Sequence, residues 1–145
     1  MKIERVGSET IRTLRHKVLR KNKPFSTTSY NRDKEKDTIH LACVEKNIVV
    51  VCATFYPEKT NRIDSKNAYR LRGMATDKNH RRKGYGKKIM EQSFIELTNK
   101  KCDLLWCNAR IKALEFYKSI GFKTKGEKFN IGDIGDHYYM YKRII

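Results

Sequence analysis

Several kinds of site have no material in this 145-residue chain. Its four cysteines, Cys43, Cys52, Cys102 and Cys107, form no C-x-x-C pair, and its four histidines are scattered. That spacing excludes the usual zinc sites, so no metal is expected. No apolar run approaches the roughly 18 residues that a membrane span needs. The first five residues lead straight into a charged amphipathic segment, with no signal-peptide core. No repeat or linker is visible. These absences point to a reducing cytoplasm, no membrane partner, and cysteines acting as small buried hydrophobes. Acidic residues are scarce: 16 Asp and Glu face 33 Lys and Arg, a net charge of +17. Such a balance draws polyanions: a phosphorylated cofactor, a nucleic acid or an acidic protein. The alternative is that many of the lysines are solvated surface.

What is present reads as one domain of ordinary size, long enough to bury a core without disulfides. Residues 3–6 suit a first strand, and Ser8 is a candidate N-cap. Ile11, Leu14 and Val18 then follow at helical spacing. Pro24 stops the helix, and the polar stretch 26–37 reads as an irregular loop, either a lid or a mobile surface segment. Two β-branched runs, 39–45 and 48–55, flank Lys46-Asn47 as a tight hairpin, and Pro57 ends the second. A polar connection covers 58–67, and a third strand runs from Tyr69 to Thr76. Helical spacing returns at Ile89, Met90, Phe94 and Leu97, then a dense apolar strand at 103–107. Ala113, Phe116, Tyr117 and Ile120 fall on one helix stripe that Gly121 closes. A turn with Gly132 and Gly135 precedes an aromatic last strand. The order β-α-β-β-β-α-β-α-β-β predicts a single α/β (α+β) domain over residues 1–145, with a mixed, mostly antiparallel central sheet flanked by helices.

The strongest local feature is a strand, then Asp77-Lys78-Asn79-His80, then Arg81-Arg82-Lys83-Gly84-Tyr85-Gly86, then the helix whose spacing runs from Tyr85 to Asn99. A helix N-terminus leaves amide groups unpaired and carries partial positive charge. Glycines let the backbone approach an anion, and the flanking cations add attraction. Together these make a phosphate cradle. A P-loop is excluded because no glycine stands at the required place and Lys88 follows Lys87. A dinucleotide fingerprint is excluded because its third glycine is missing.

Arg81-x-x-Gly84-x-Gly86, followed some thirty residues later by Ala113-x-x-Phe116-Tyr117-x-x-x-Gly121-Phe122, resembles the GNAT N-acetyltransferases. The resemblance covers the whole chain, and it implies that residues 1–145 are one N-acetyltransferase domain using acetyl-CoA. It further implies that backbone groups of Met74, Ala75 and Thr76 pair with the pantetheine arm, and that one of those amides polarises the thioester carbonyl. The amides from Arg82 to Lys87 would hold the pyrophosphate. Tyr117 matches the tyrosine that protonates the leaving thiolate; the alternative is that it is only core. Two positions depart from the family pattern. Arg110 stands where asparagine is common, with Asn108 nearby as a candidate substitute at the cofactor, and Arg70 stands where some members carry a basic glutamate.

An ammonium acceptor must lose a proton before it attacks, so a base is needed. His137, Glu58, His40 and Glu127 are candidates, and His137 is favoured because histidine titrates near neutrality and Asp136 stands beside it. Its alternative is an exposed histidine at a strand end. Cys52 and Cys107 lie in apolar runs without an adjacent His or Asp, so a covalent route is set aside. The expected reaction is direct acetyl transfer to a primary amine on a small molecule, peptide or aminoacylated RNA. Two alternatives stand beside it: a basic nucleic-acid- or ribosome-associated binding protein, and a cofactor-binding sensor with little catalysis. No helix-turn-helix, zinc-finger or RNP pattern supports the first of these. An oligomer is compatible with the sequence.

Overall fold

Alternating β-branched residues and a two-residue turn shape the best-defined hairpin of the computed structural model, which describes all 145 residues. β2 (Ile39–Glu45) and β3 (Ile48–Pro57) pair antiparallel across Lys46 and Asn47. Both turn residues take positive φ, 53° and 63°, the left-handed pair that matches the twist of flanking strands. β1 (Lys2–Val6) pairs antiparallel with β2, and α1 (Ser8–Leu19) follows it. β4 (Ala68–Thr76) leads through a short 3₁₀ turn to α2 (Tyr85–Asn99). β5 (Leu104–Arg110) and α3 (Leu114–Ser119) come next. Short β6 (Lys123–Thr124) and β7 (Phe129–Ile131) and the long β8 (Gly135–Arg143) complete the chain.

The eight strands form one sheet in the order β1-β2-β3-β4-β5-β8-β6, with β7 also on β8. The fold is therefore α/β, with a mostly antiparallel sheet and three helices. β6 and β7 together supply one strand more than the expected order. They are two and three residues long, too short for any period to show. The β4–β5 pair is parallel, with Ala68 opposite Leu104 and Arg70 opposite Trp106.

The chain divides into two compact units: Met1–Tyr56 with Leu71–Ile95, and Pro57–Arg70 with Glu96–Ile145. In the first, Ile11 and Leu14 of α1 pack with Ala42, Cys52 and Ala75. In the second, Ala68, Leu104, Trp106 and Tyr139 make the core.

Two expectations are corrected in the first unit. Gly7, not Ser8, is the N-cap of α1; Ser8 is the first helical residue and is buried, and no side chain caps the helix. The stretch 26–37 contains a 3₁₀ turn (Phe25–Thr28) and is tied to the core through Arg15, which is fully buried. Arg15 Nη1 donates to Asp33 Oδ2 at 2.6 Å and to the Thr28 carbonyl at 2.8 Å. Its Nη2 donates to Asp33 Oδ1 at 3.0 Å and to Thr54 Oγ1 at 2.7 Å. Its guanidinium lies 3.9 Å from the centre of the Tyr30 ring. Burial by itself works against the Asp33 carboxylate, yet hydrogen bonds from Arg15 and the Tyr30 amide hold it below the usual carboxylate range. A helical arginine and a loop aspartate 18 residues apart carry no local signature, so composition alone made this loop look solvated.

Replacing Arg15 with methionine leaves Asp33 buried and unpaired. Urea unfolding should then show a loss of about 3–5 kcal/mol. A loss inside about 1 kcal/mol, the range of surface pairs, would show that the pair does not hold the loop.

Candidate functional site

In the first unit the chain leaves β4 and turns sharply before α2. Gly73 sits within β4 at φ 63°, a left-handed conformation that glycine adopts freely. After it come Met74 and Thr76, half-buried, and Ala75, buried. Asp77 closes the strand and caps the following 3₁₀ turn, its Oδ2 accepting from the Asn79 amide at 3.2 Å. Arg82 and Gly84 both take left-handed φ, 63° and 78°. For arginine that conformation costs free energy, whereas glycine adopts it freely. Helical bonding begins with the Lys88 amide donating to the Gly84 carbonyl at 3.1 Å. The amides of Tyr85, Gly86 and Lys87 therefore lie in the first turn, which has no intrahelical acceptors. Arg81, Arg82, Lys83 and Lys87 are all exposed around them. Unpaired backbone donors with four exposed cations beside them in the chain are an arrangement able to bind an anion.

Side chains far apart in the chain meet beside this turn. Asp77 Oδ1 accepts from Lys17 Nζ at 2.7 Å, and its Oδ2 lies 2.8 Å from His80 Nδ1. His80 Nε2 is 3.1 Å from Glu45 Oε2, and Tyr85 Oη donates to Glu45 Oε1 at 2.9 Å. The His80 and Tyr85 rings stack at 6.5 Å. Hydrogen bonds from Lys17 and then His80 bring the Asp77 carboxyl down to about 2. The bond from Tyr85 lowers Glu45 and raises the Tyr85 phenol. The run Asp77-x-x-His80 was visible in the sequence; its partners Lys17 and Glu45 are 60 and 35 residues away and were not.

In the second unit Tyr117 is buried on α3. The helix ends in a Schellman motif: the Phe122 amide bonds the Tyr117 carbonyl at 3.0 Å, and the Gly121 amide bonds that of Lys118 at 3.1 Å. Gly121 has φ 101°, and the Tyr117 and Phe122 rings meet at 5.2 Å across the turn. Burial pushes the Tyr117 phenol well above 10. His137, at the start of β8, is also buried rather than an exposed strand-end residue. Asp136 does not orient it, because that carboxylate accepts from Asn130 Nδ2 at 3.1 Å. Instead His137 Nδ1 lies 2.9 Å from the Gly135 carbonyl. A carbonyl can only accept, so Nδ1 donates to it, and Nε2 is the ring nitrogen left for another partner.

The other base candidates differ. His40 is held between Thr54 Oγ1 and the Asp33 carbonyl, both at 2.8 Å, and burial lowers its pKa. Glu58 pairs with Arg70 at 3.3 Å, and Glu127 is exposed. Burial pushes the thiols of Cys52 and Cys107 up to about 12, and those of Cys43 and Cys102 to about 11. None is a ready nucleophile.

Asn108, half-buried on β5, lines a cleft of about 540 Å³ in the second unit. Trp106, Tyr139 and Phe129 form its aromatic lining, and residues 59–62 its polar edge. The sequence offered only one hint of it, the ten-residue polar connection at 58–67. No group of three or more His, Cys, Asp or Glu side chains is placed to hold a metal ion. No helix is long and apolar enough to cross a membrane.

Residues 35–124 match the family model of the acetyltransferase (GNAT) domain. The chain is 29% identical over 144 residues to YitI of Bacillus subtilis (strain 168), an uncharacterized N-acetyltransferase, covering 99% of this chain and 97% of that one. Among solved structures it is similar to an aminoglycoside 6'-N-acetyltransferase complexed with coenzyme A (TM-score 0.79, 13% identity, 100% of this chain and 98% of that one). It is also similar to Escherichia coli ElaA (TM-score 0.79, 16% identity, 98% and 99% covered).

The Asp77 bonds make a pH prediction. Its folded pKa lies below the unfolded value of about 3.9, so its contribution is complete above about pH 4 and is lost as pH falls toward 2. Urea midpoints measured from pH 5 to 2 should fall less steeply for Asp77→Asn than for the parent. Parallel curves would remove this carboxylate as the brace.

Proposed function

Because the chain belongs to the GNAT family of acetyltransferases, we propose that it moves an acetyl group from acetyl-CoA to a primary amine by direct attack, with residues 1–145 acting as one catalytic domain. The observation that carries this is the cradle: a helix whose first amides follow two left-handed residues among four exposed cations. It suits a pyrophosphate better than a single carboxylate, because several amides and several cations converge.

The chemistry divides among named groups. Amides from Arg82 to Lys87 hold the pyrophosphate of acetyl-CoA. Backbone groups of Met74, Ala75 and Thr76 pair with the pantetheine arm, and one amide among them polarises the thioester carbonyl. His137 Nε2 takes the proton that the acceptor ammonium must lose. The neutral amine then attacks the carbonyl carbon; the C–N bond forms, the C–S bond breaks, and the sulfur leaves as thiolate. Tyr117 donates a hydrogen bond to that thiolate. An ordinary thiol has a pKa of about 8.5, below that of the buried phenol, so full proton transfer from Tyr117 runs uphill. Its contribution is therefore hydrogen-bond stabilisation of the departing charge, with water completing protonation. The buried, high-pKa thiols support transfer without an acyl-enzyme.

Acetyl-CoA at about 100 times its Kd should raise Tm by about 5–10 °C, while oligonucleotides should leave it unchanged. The reverse pattern would favour a nucleic-acid-binding protein. Tyr117→Phe should lower turnover about 100-fold with the acetyl-CoA shift intact. Normal thiol release by that variant would remove Tyr117 from the mechanism. Gly84→Val places a β-branched residue at φ 78°, where an added Cβ meets nothing within 4 Å, so its cost is backbone strain alone. It should weaken acetyl-CoA binding about tenfold, consistent with roughly 1–2 kcal/mol of strain. Unchanged affinity would exclude the turn from the site.

A further inference from the structure

We infer that His80 is a positioning residue for the cofactor turn: the imidazolium, held between Asp77 and Glu45, fixes Tyr85 and the start of α2, so acetyl-CoA binds more tightly as pH falls through neutrality. The inference rests on the cofactor reading above for its ligand. The coupling itself comes from the contacts around the turn.

His80 ends the 3₁₀ turn Lys78–His80, immediately before Arg81. Its Nδ1 lies 2.8 Å from Asp77 Oδ2, and its Nε2 lies 3.1 Å from Glu45 Oε2. An ionised carboxylate only accepts, and a neutral imidazole has one N–H to give. Only the imidazolium can donate to both. On deprotonation one carboxylate must face a lone pair. Asp77 keeps its hydrogen bond, because its contact is the shorter and Lys17 and the Asn79 amide hold that carboxylate in place. Glu45 is the partner that loses. Its other oxygen, Oε1, accepts from Tyr85 Oη at 2.9 Å. Tyr85 stands between Gly84 and Gly86 and is the first residue of α2. The Cys43 thiol of β2 also donates weakly to the Tyr85 carbonyl, at 3.8 Å. Release of Glu45 therefore loosens the residue from which the helix starts.

No other group near His80 can replace its proton. Lys17 is engaged with Asp77 at 2.7 Å. Lys83 and the amino terminus favour the Glu45 carboxylate by charge alone, without a bond to it. The Tyr85 phenol, raised by its bond to Glu45, stays a donor through neutrality, and burial pushes the Cys43 thiol up to about 11. The His80 and Tyr85 rings lie 6.5 Å apart and 25° from parallel, so both report on the same small region. The side chains of His80 and Glu45 are 25% and 26% exposed, which sets the coupling at the scale of a partly screened pair.

The test is calorimetric titration of the whole chain with acetyl-CoA, for the parent and for His80→Gln, Glu45→Gln and His80→Arg. The cofactor ionises alike in all four, so differences between them belong to the protein. Between about pH 8 and about pH 5.5 the parent should gain about three- to fivefold in affinity over His80→Gln. Glu45→Gln should lose the same gain, because its amide can donate to the neutral ring. His80→Arg, permanently charged, should bind at the higher pH about as the parent does at the lower. A gain that persists in Glu45→Gln would be charge attraction alone and would overturn the positioning role. A second readout needs no ligand. Backbone amide resonances of Tyr85, Gly86 and Lys87 should move through one shared midpoint in the parent and much less in Glu45→Gln. Amides that stay still in the parent would also overturn the coupling. If the parent binds no acetyl-CoA at any pH, the cofactor reading fails, and the amide titration alone decides whether His80 controls the turn.

Discussion

Burying one guanidinium sets the terms for much of the first unit. Arg15 is fully buried, and a charge there is tolerable only with a counter-charge and hydrogen bonds, which its two terminal nitrogens have and its Nε does not. Asp33 supplies the counter-charge, Thr28 a carbonyl and Thr54 a hydroxyl. Thr54 in turn bonds His40, whose other nitrogen bonds the Asp33 carbonyl, so helix, loop and two strands are closed into one polar network. Gly73 of β4 lies against the same network. A Cβ on Gly73 would stand 3.1 Å from Tyr30 and 3.2 Å from Arg15 Nε, closer than ordinary packing allows. The left-handed φ is what favours glycine there, and a side chain would also press Tyr30 and Arg15 back by a few tenths of an ångström.

The cradle itself relies on a different economy. Its donors are backbone amides, whose positions depend on φ and ψ rather than on side-chain identity, and its cations are exposed. What must be rigid is the turn, and the Lys17–Asp77 ion pair together with the contacts joining Asp77, His80, Glu45 and Tyr85 tie it to α1 and β2.

The legible parts of the sequence were those with a local rule. The 39–45 and 48–57 strands, their turn and the 85–99 helix follow from period and turn chemistry, and the observed bounds differ little from the expected ones. Gly121 signalled a helix end, and the Schellman bonds show why. The illegible parts depend on distant pairing. Asp33 looked like loop surface because Arg15 is 18 residues away. β6 and β7 are too short for a pattern, and β8 organises both. Asp136 stood next to His137 in sequence but points to Asn130, since neighbours along a strand face opposite ways. The aromatic cleft was hidden for the same reason: Trp106 and Tyr139 are 33 residues apart, and each alone reads as core.

The four cysteines carry a practical consequence. With pKa values of about 11 to 12, their thiolate fraction near neutral pH is on the order of 10⁻⁴ or less. Alkylating reagents and peroxides act on the thiolate, so the native chain is nearly invisible to them while it stays folded. A cysteine introduced on the surface would take a spectroscopic label selectively, with no native cysteine removed first.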